Sequence, residues 1–313
     1  MSENKTTISQ ILKQSYGFDN DFEISTIKAG VENENFLVLG PKDKYIFRIY
    51  NNLHSIRGER NDRSISLELQ FMESADKHGL PVPKIIKSVD DKLFAKETIE
   101  GEKKYIALFT FIDGNMANSY NGKISAQVGK IVSQMYEVGQ AFVEIDEENF
   151  KQNNIIDRAF NKFTELKNSG ITIDEKISNL AEKLSQQALE IKNKKINRGL
   201  VHGDLKLENL LFSDDEIVGV LDFDDYRFSY LIEEAVMTLM HDLHSREENL
   251  IRSGHYVEFI DAIKNPDLKG ELTYLKFFLQ IRFLYDLCKY SLKNKAELVK
   301  ELFQDNSISQ HII

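Results

Sequence analysis

The chain has 313 residues, 42% hydrophobic and 29% charged, with four prolines, no tryptophan and a net charge of −10. That length supplies enough core for two lobes of ordinary domain size. The negative balance argues against a nucleic-acid partner, whose phosphates select a basic surface. The charge is local: thirteen acids and three bases fall between Val201 and Leu250, which is the whole excess. A single cysteine, Cys288, leaves no internal disulfide and suits a reducing cytosol. The first ten residues, MSENKTTISQ, hold no apolar run of the kind that opens a signal peptide. The longest apolar run, Tyr105 to Ile112, is far short of the ~20 residues a membrane helix needs. The expectation is a cytoplasmic protein with no nucleic-acid and no membrane partner.

In chain order, Ile8 to Tyr16 predicts a short amphipathic helix, and Glu23–Lys28, Asn35–Gly40 and Lys44–Tyr50 predict three strands. Between the first two, Gly30 with Asn33 and Asn35 suits a tight hairpin, since these residues tolerate positive φ. In the third strand Arg48 is embedded among apolar neighbours on both faces. A buried guanidinium is costly alone, so Arg48 needs a carboxylate or phosphates. Ile65 to His78 reads as a helix, with Leu67, Phe71 and Ala75 at helical spacing and Gly79, Pro81 and Pro83 closing it. It offers Glu68 and Glu73 as partners for Arg48. Leu93–Lys96 and Ile106–Phe111 complete five strands, and Ile112-Asp113-Gly114-Asn115 is a turn.

From Lys123 the pattern is helical. Ile124, Val128, Ile131, Met135, Val138, Phe142 and Ile145 form one long core-facing stripe. Helices are expected over Asn154–Lys167, Asp174–Lys194, Tyr230–Leu243, Glu271–Leu292 and Lys295–Gln304. His241 and His244 lie three apart, but no further ligand pair stands at metal spacing, which favours a surface or substrate-pocket role over zinc.

The chemistry concentrates in Val201 to Asp225, VHGDLKLENLLFSDDEIVGVLDFDD. Phosphoryl transfer from ATP needs a carboxylate to orient the attacking hydroxyl and an oxygen-rich pair to hold magnesium. Asp204 suits the first need, and Asn209 with Asp222 the second. Leu210–Phe212 and Ile217–Leu221 read as strands around the turn Ser213-Asp214-Asp215-Glu216. Such a hairpin returns Asn209 and Asp222, thirteen residues apart, to one end. In order and spacing this stretch resembles the catalytic and metal-binding loops of the protein-kinase-like superfamily. It is most similar to the branch of aminoglycoside phosphotransferases, choline kinases and homoserine kinases, where His-Gly-Asp replaces His-Arg-Asp.

That resemblance implies an α+β, bilobal fold: residues 1–111 as a nucleotide-binding lobe with a five-stranded antiparallel sheet and one helix, and residues 112–313 as a mostly helical catalytic and substrate lobe. It implies ATP and Mg2+, with Asp204 catalytic, Lys206 reaching the transferring group, and Asn209 and Asp222 on the metal. Gly30 and Asn33 fall in the nucleotide-covering loop. Arg48 stands where protein kinases have lysine, with Glu68 as its partner, and the adenine edge falls at Thr110, Phe111 and Ile112. Glu233 occupies the place of an Asp that braces the catalytic loop. Asp224, Asp225, Tyr226, His241 and Asp242 are the implied acceptor contacts. Ten residues separate Asp222 from Glu233, too few for a peptide-docking activation segment, so a small-molecule acceptor is favoured. The acidic C-terminal half suits a cationic acceptor such as an aminoglycoside or choline. The Gly-x-Glu-Asn loop leans toward homoserine kinases, in which a histidine often stands where this chain has Tyr136. An inactive ATP-binding regulatory module is the alternative from another class, and the intact Asp204, Asn209 and Asp222 weigh against it.

Overall fold

The computed structural model of the chain describes residues 2–19, 21–27, 33–54, 58–142, 150, 153–241 and 249–305. Gly30, Asp242, Ile145 and His244 lie outside the described residues. The chain divides into two compact units, Met1–Gly114 and Asn115–Ile313.

The first unit is built on an antiparallel sheet. Its strands are β1 (Glu23–Ile27), β2 (Asn33–Leu39), β3 (Lys44–Tyr50), β6 (Ile85–Ile86), β7 (Ala95–Ile99) and β8 (Glu102–Thr110). They run in the order β1-β2-β3-β8-β6, with β7 also pairing β8. A separate two-stranded ribbon joins β4 (Leu53–His54) and β5 (Gly58–Glu59). Helix α1 (Ser2–Tyr16) begins six residues before the expected Ile8 and is a core element. Ile8, Ile11, Leu12 and Tyr16 pack with Phe36, Val38, Phe47, Ile49, Ile106 and Leu108, and the Tyr16 hydroxyl donates to the Ile106 carbonyl at 3.0 Å. Phe47 and Ile49 point to that core, so the period of two sends Arg48 and Tyr50 to the opposite face.

Helix α2 (Asp62–Lys77) is started by a reciprocal cap: Asn61 Oδ1 accepts from the Ser64 N–H and Ser64 Oγ accepts from the Asn61 N–H, both at 3.0 Å. It presents Glu68 to the sheet, and the Tyr50 hydroxyl donates to Glu68 Oε1 at 2.8 Å. The sheet thus carries one more strand than expected, because two residues at β6 are too few to show a period. The strands expected at Leu93–Lys96 and Ile106–Phe111 are one hairpin, turned at Glu100 (φ 51) and Gly101 (φ 82). Lysines and glutamates on its solvent side mask the alternation in the sequence.

The second unit is mostly helical. Its elements are α3 (Gly122–Gln140), α4 (Ile155–Asn168), α5 (Glu175–Lys192), β9 (Arg198–Val201), β10 (Leu210–Ser213), β11 (Glu216–Val220), β12 (Arg227–Tyr230), α6 (Glu233–Met240), α7 (Leu250–Ser253), α8 (Tyr256–Ala262), α9 (Pro266–Glu271), α10 (Leu275–Leu292) and α11 (Ala296–Gln304). Asn121, Asn154, Asp174, Asn249 and Asn265 each cap a helix start with a side-chain oxygen. Helix α10 buries Phe278, Ile281, Phe283, Leu284, Leu287 and Cys288 and packs on α4, α5 and α6. Burial pushes the Cys288 thiol up to about 12, in keeping with an inert core position. Two expected helices start late. Tyr230 ends a strand, so α6 opens at Glu233, and α10 opens at Leu275 because the Asn265–Pro266 cap starts a separate helix, α9. No helix among the described residues is long and apolar enough to cross a membrane.

Candidate active site

Strands β9 and β12 pair antiparallel, with Val201 opposite Arg227, and so clamp both ends of residues 202–226. Helix α3 supports β9 backbone to backbone. A Cβ on Gly139 would collide with the Leu200 carbonyl, and one on Gly199 with the Gly139 carbonyl. Beyond β9, Gly203 sits at φ 80 with the Arg227 guanidinium against it, a position that glycine alone fills without strain.

His202 pins the loop. Its N–H donates to Glu234 Oε2 at 2.5 Å, its Nε2 lies 2.9 Å from the Leu221 carbonyl, and its Nδ1 accepts from the Asp204 N–H at 3.3 Å. Those two ring roles require the neutral imidazole protonated on Nε2. Burial lowers the His202 pKa and outweighs the nearby carboxylates of Asp204 and Asp222, which agrees with a neutral ring. The ring also lies 4.6 Å from that of Phe223, between centroids.

Arg227 ties the two loops together. It donates to the Gly203 carbonyl at 3.1 Å and the Asp225 carbonyl at 3.0 Å, and meets Glu233 Oε1 through Nε at 2.9 Å and Nη2 at 2.7 Å. The brace expected of Glu233 is therefore indirect. The carboxylate that touches the loop is Glu234, because the helix start turns Glu233 to Arg227 and its neighbour to His202.

Around Asp204 the donors divide by oxygen. Oδ2 accepts from Asn209 Nδ2 at 2.9 Å and from Lys206 Nζ at 3.1 Å, while Oδ1 faces His241 Nε2 at 3.5 Å. Burial alone would raise the Asp204 carboxyl, but the hydrogen bond from His241 and the charge of Lys206 outweigh it and hold the group well below the carboxylate range. Lys206 also reaches Glu208 at 3.3 Å. For Lys206, burial opposes the charge, and the Asp204 carboxylate reverses that and raises its pKa.

The hairpin brings the expected pair together. Asp214 (φ 49) and Asp215 (φ 61) make the turn between β10 and β11, and the Leu221 N–H returns to the Asn209 carbonyl at 2.8 Å. Asp222 follows in a left-handed conformation (φ 61, ψ 64), exposed. Because the Asn209 amide nitrogen is spent on Asp204, the amide oxygen is the end left to accept. One amide oxygen and one carboxylate fit a hard cation that takes its other ligands from phosphates and water. Among the described residues, no three His, Cys, Asp and Glu side chains converge as a metal cluster.

Of the expected acceptor contacts, Asp224 and Tyr226 are buried and Asp225 is half-buried beside them. His241 closes α6, and its carbonyl accepts from the buried Asn249 amide at 2.6 Å. In the first unit, Arg48 is an inner-strand residue. It donates to its cross-strand partner Asn35 at 3.0 Å and stands 3.8 Å from Glu68. Arg60 reaches the same carboxylate at 3.7 Å. Asn33 Oδ1 turns to Arg60 Nη2 at 3.2 Å and the Asn51 N–H at 3.4 Å. The Thr110 and Phe111 N–H groups are spent on the Lys84 and Lys44 carbonyls. Phe111 and Ile112 are half-buried. His202, Arg227 and Glu234 were not singled out from the sequence, where the adjacent acids Glu233 and Glu234 gave the available signal.

Residues 23–258 match the phosphotransferase enzyme family (APH). The chain belongs to that family. Among relatives by sequence, the chain is 25% identical over 201 residues to the homoserine kinase of Rhizobium meliloti (strain 1021), covering 63% of this chain and 56% of that protein. It is 28% identical over 200 residues to that of Agrobacterium fabrum, covering 63% and 57%. The match spans little more than half the length of these relatives. Among solved structures, the amicoumacin kinase hAmiN in complex with AMP-PNP, Ca2+ and Ami superposes with a TM-score of 0.68 at 16% identity, over 98% of this chain and 94% of that one. A microcompartment-associated aminopropanol kinase gives 0.62 at 15%, over 96% and 98%. The fold of the chain is thus the protein-kinase-like α+β fold, with an antiparallel N-terminal sheet and a helical C-terminal part.

Proposed function

We propose that the chain is an ATP-dependent O-phosphotransferase that moves the γ-phosphoryl group to a hydroxyl of a small, amine-bearing molecule. The observation that carries this reading is the meeting of Asp204, Lys206, Asn209 and the Asp222 loop in one clamped excursion between β9 and β12. Asp204 would orient the acceptor hydroxyl, and a loose transition state asks little base strength of it. Lys206 would lean toward the transferring group while holding Asp204 in place. Asn209 and Asp222 would hold magnesium, which when bound neutralises the β- and γ-phosphate oxygens. In the N-terminal unit, the fork of Arg48, steadied by Asn35 and Glu68, would take nucleotide phosphates. With the Thr110 and Phe111 N–H groups committed to the sheet, Ile112 is the position whose backbone is offered to adenine.

Residues 1–111 would then form the nucleotide-binding lobe and residues 112–313 the catalytic and substrate lobe, working in the cytoplasm. The ten residues between Asp222 and Glu233 fold into a 3-10 turn and a strand, which supports a small acceptor over a peptide. Homoserine is the second reading, favoured by the relatives reported above; it too joins an amine to a hydroxyl. Thermal-shift screening with MgATP, followed by ADP release across aminoglycosides, choline, ethanolamine, aminopropanol and L-homoserine, tests the reading. A ligand of the folded state raises the melting point by mass action. A chain that binds no MgATP and releases no ADP with any of these would defeat it.

A further inference from the structure

One face of α6 carries Glu233, Met237 and, at its close, His241, each four residues from the last. Three groups from other elements meet that face in turn. Arg158 of α4 stands 3.3 Å from Glu233, Arg282 of α10 lies against the Met237 sulfur, and Asp204 faces His241 at 3.5 Å. The Arg282 contact is thus one helical turn, about 5.4 Å, along α6 from the residue that meets Asp204.

Helix α6 belongs to the acidic stretch of the chain, yet this face of it is cationic. Arg158, Arg227 and Arg282 meet Glu233 and Asp286, three guanidinium groups to two carboxylates. Tyr285 stands among them, with the Arg158 and Arg282 heads 5.1 and 5.6 Å from the centre of its ring. Burial would raise the Tyr285 phenol, but Arg158 first, then Arg282 and Lys289, outweigh it and lower its pKa.

Arg282 is not spent. Its Nε donates to Asp286 Oδ2 at 2.8 Å, and its Nη1 meets a thioether, a weak acceptor. Its other N–H groups have no acceptor among the described residues. The Arg282 side chain is 12% exposed and that of Arg158 17%, so a small ligand reaches both while little water screens them. A guanidinium held in this way suits a carboxylate, which its fork grips through two parallel hydrogen bonds.

We propose that this corner is the carboxylate subsite of the acceptor, which is then a hydroxy amino acid gripped by Arg282, with Arg158 and the Tyr285 hydroxyl beside it. This rests on Asp204 being the group that orients the acceptor hydroxyl. The spacing selects the length. From hydroxyl oxygen to carboxyl carbon across three intervening carbons is about 5 Å, which matches the one-turn step. An aminoglycoside offers no anion to this corner.

The test follows ADP release from MgATP by the full chain in wild type, Arg282→Gln and Arg282→Lys. The acceptors are L-homoserine, L-homoserine amide, 3-aminopropan-1-ol and an aminoglycoside. The wild type is expected to use L-homoserine with a kcat/KM about a hundredfold or more above the amide and the aminopropanol, which keep amine and hydroxyl but lack the anion. Arg282→Gln should raise the KM for L-homoserine about thirtyfold or more while losing a few-fold with aminopropanol, so that the preference collapses. Arg282→Lys, which keeps the charge but not the fork, should restore part of it. A merely structural arginine would lower activity with every acceptor alike. Such an equal loss, or a wild type that prefers aminopropanol or the aminoglycoside to L-homoserine, would overturn the proposal. The wild-type comparison decides even where Arg282→Gln fails to fold. A wild type active only on acceptors without a carboxylate sinks this subsite alone. Transfer to none of the four, or full activity in Asp204→Asn, removes the phosphotransfer reading and the subsite with it.

Discussion

Replacing Glu233 by alanine would remove the carboxylate that holds both loops of the site in register. Its side chain is fully buried. Oε1 receives Arg227 twice, at 2.9 and 2.7 Å, and faces Arg158 Nη1 at 3.3 Å, while Ser229 Oγ donates to Oε2. The alanine variant leaves the buried Arg227 and the half-buried Arg158 guanidinium groups without their shared carboxylate. Breaking a buried ion pair from one side costs roughly 3–5 kcal/mol, against a total stability of about 5–15 kcal/mol. At about 2–4 °C per kcal/mol for a domain of this size, the melting point should fall by roughly 6–20 °C.

The pH dependence has a definite sign. Burial alone would raise the Glu233 carboxyl, but Arg227 and Arg158 reverse that and lower it. A carboxyl lowered by folding stabilises above the ordinary glutamate value, and that contribution fades as pH falls through the lower folded value. The gap between wild type and Glu233→Ala should therefore be full at neutral pH and narrow below about pH 4. Urea unfolding at several pH values measures it. Because Arg227 also holds the Gly203 and Asp225 carbonyls, kcat should drop even where the variant is fully folded. A melting point within about 2 °C of wild type, or a gap that does not change with pH, would refute this account of α6.

Gly139→Ala should push α3 off β9 at the Leu200 carbonyl and cost about 1–3 kcal/mol in urea unfolding. Glu234 carries the opposite sign to Glu233: burial first, against the His202 N–H and Arg227, raises its carboxyl to about 7. Folding then holds a proton that the unfolded chain releases, so wild-type stability relative to Glu234→Gln should decline as pH rises from about 4.5 to about 7 and level off above it. Arg48→Met should raise the KM for MgATP about tenfold or more. Glu68→Gln should do the same more weakly, and the double variant should show less than the sum because the two share one interaction.

The sequence exposed the site where chemistry constrains spacing. The His-Gly-Asp, the Asn five residues on, and the second Asp beyond a hairpin form an ordered set, and Asp214 and Asp215 announced the turn that folds them together. Arg48 was legible because a lone charge in an apolar strand needs a partner, and Tyr50 shares its face toward Glu68. The supports were hidden. Whether Glu233 or Glu234 meets the loop depends on where α6 begins, and residues Arg227–Tyr230 pass equally for helix or strand until β9 pairs with them. His202 reads as one letter of a motif, yet in three dimensions it links the turn at Asp204, the Leu221 carbonyl beside Asp222 and α6. The polar first turns of α1 carry no stripe, and the hydrophobic positions that seat it occur only from Ile8 onward.

The most direct test is transfer of label from γ-labelled ATP, with magnesium, to L-homoserine, aminopropanol and an aminoglycoside, using wild type, Asp204→Asn and Asp222→Asn. The account predicts a labelled phosphoester with at least one acceptor for the wild type and none above background for either variant, with all three proteins folded. Label transferred equally well by Asp204→Asn or Asp222→Asn, or to no acceptor by the wild type, would contradict it.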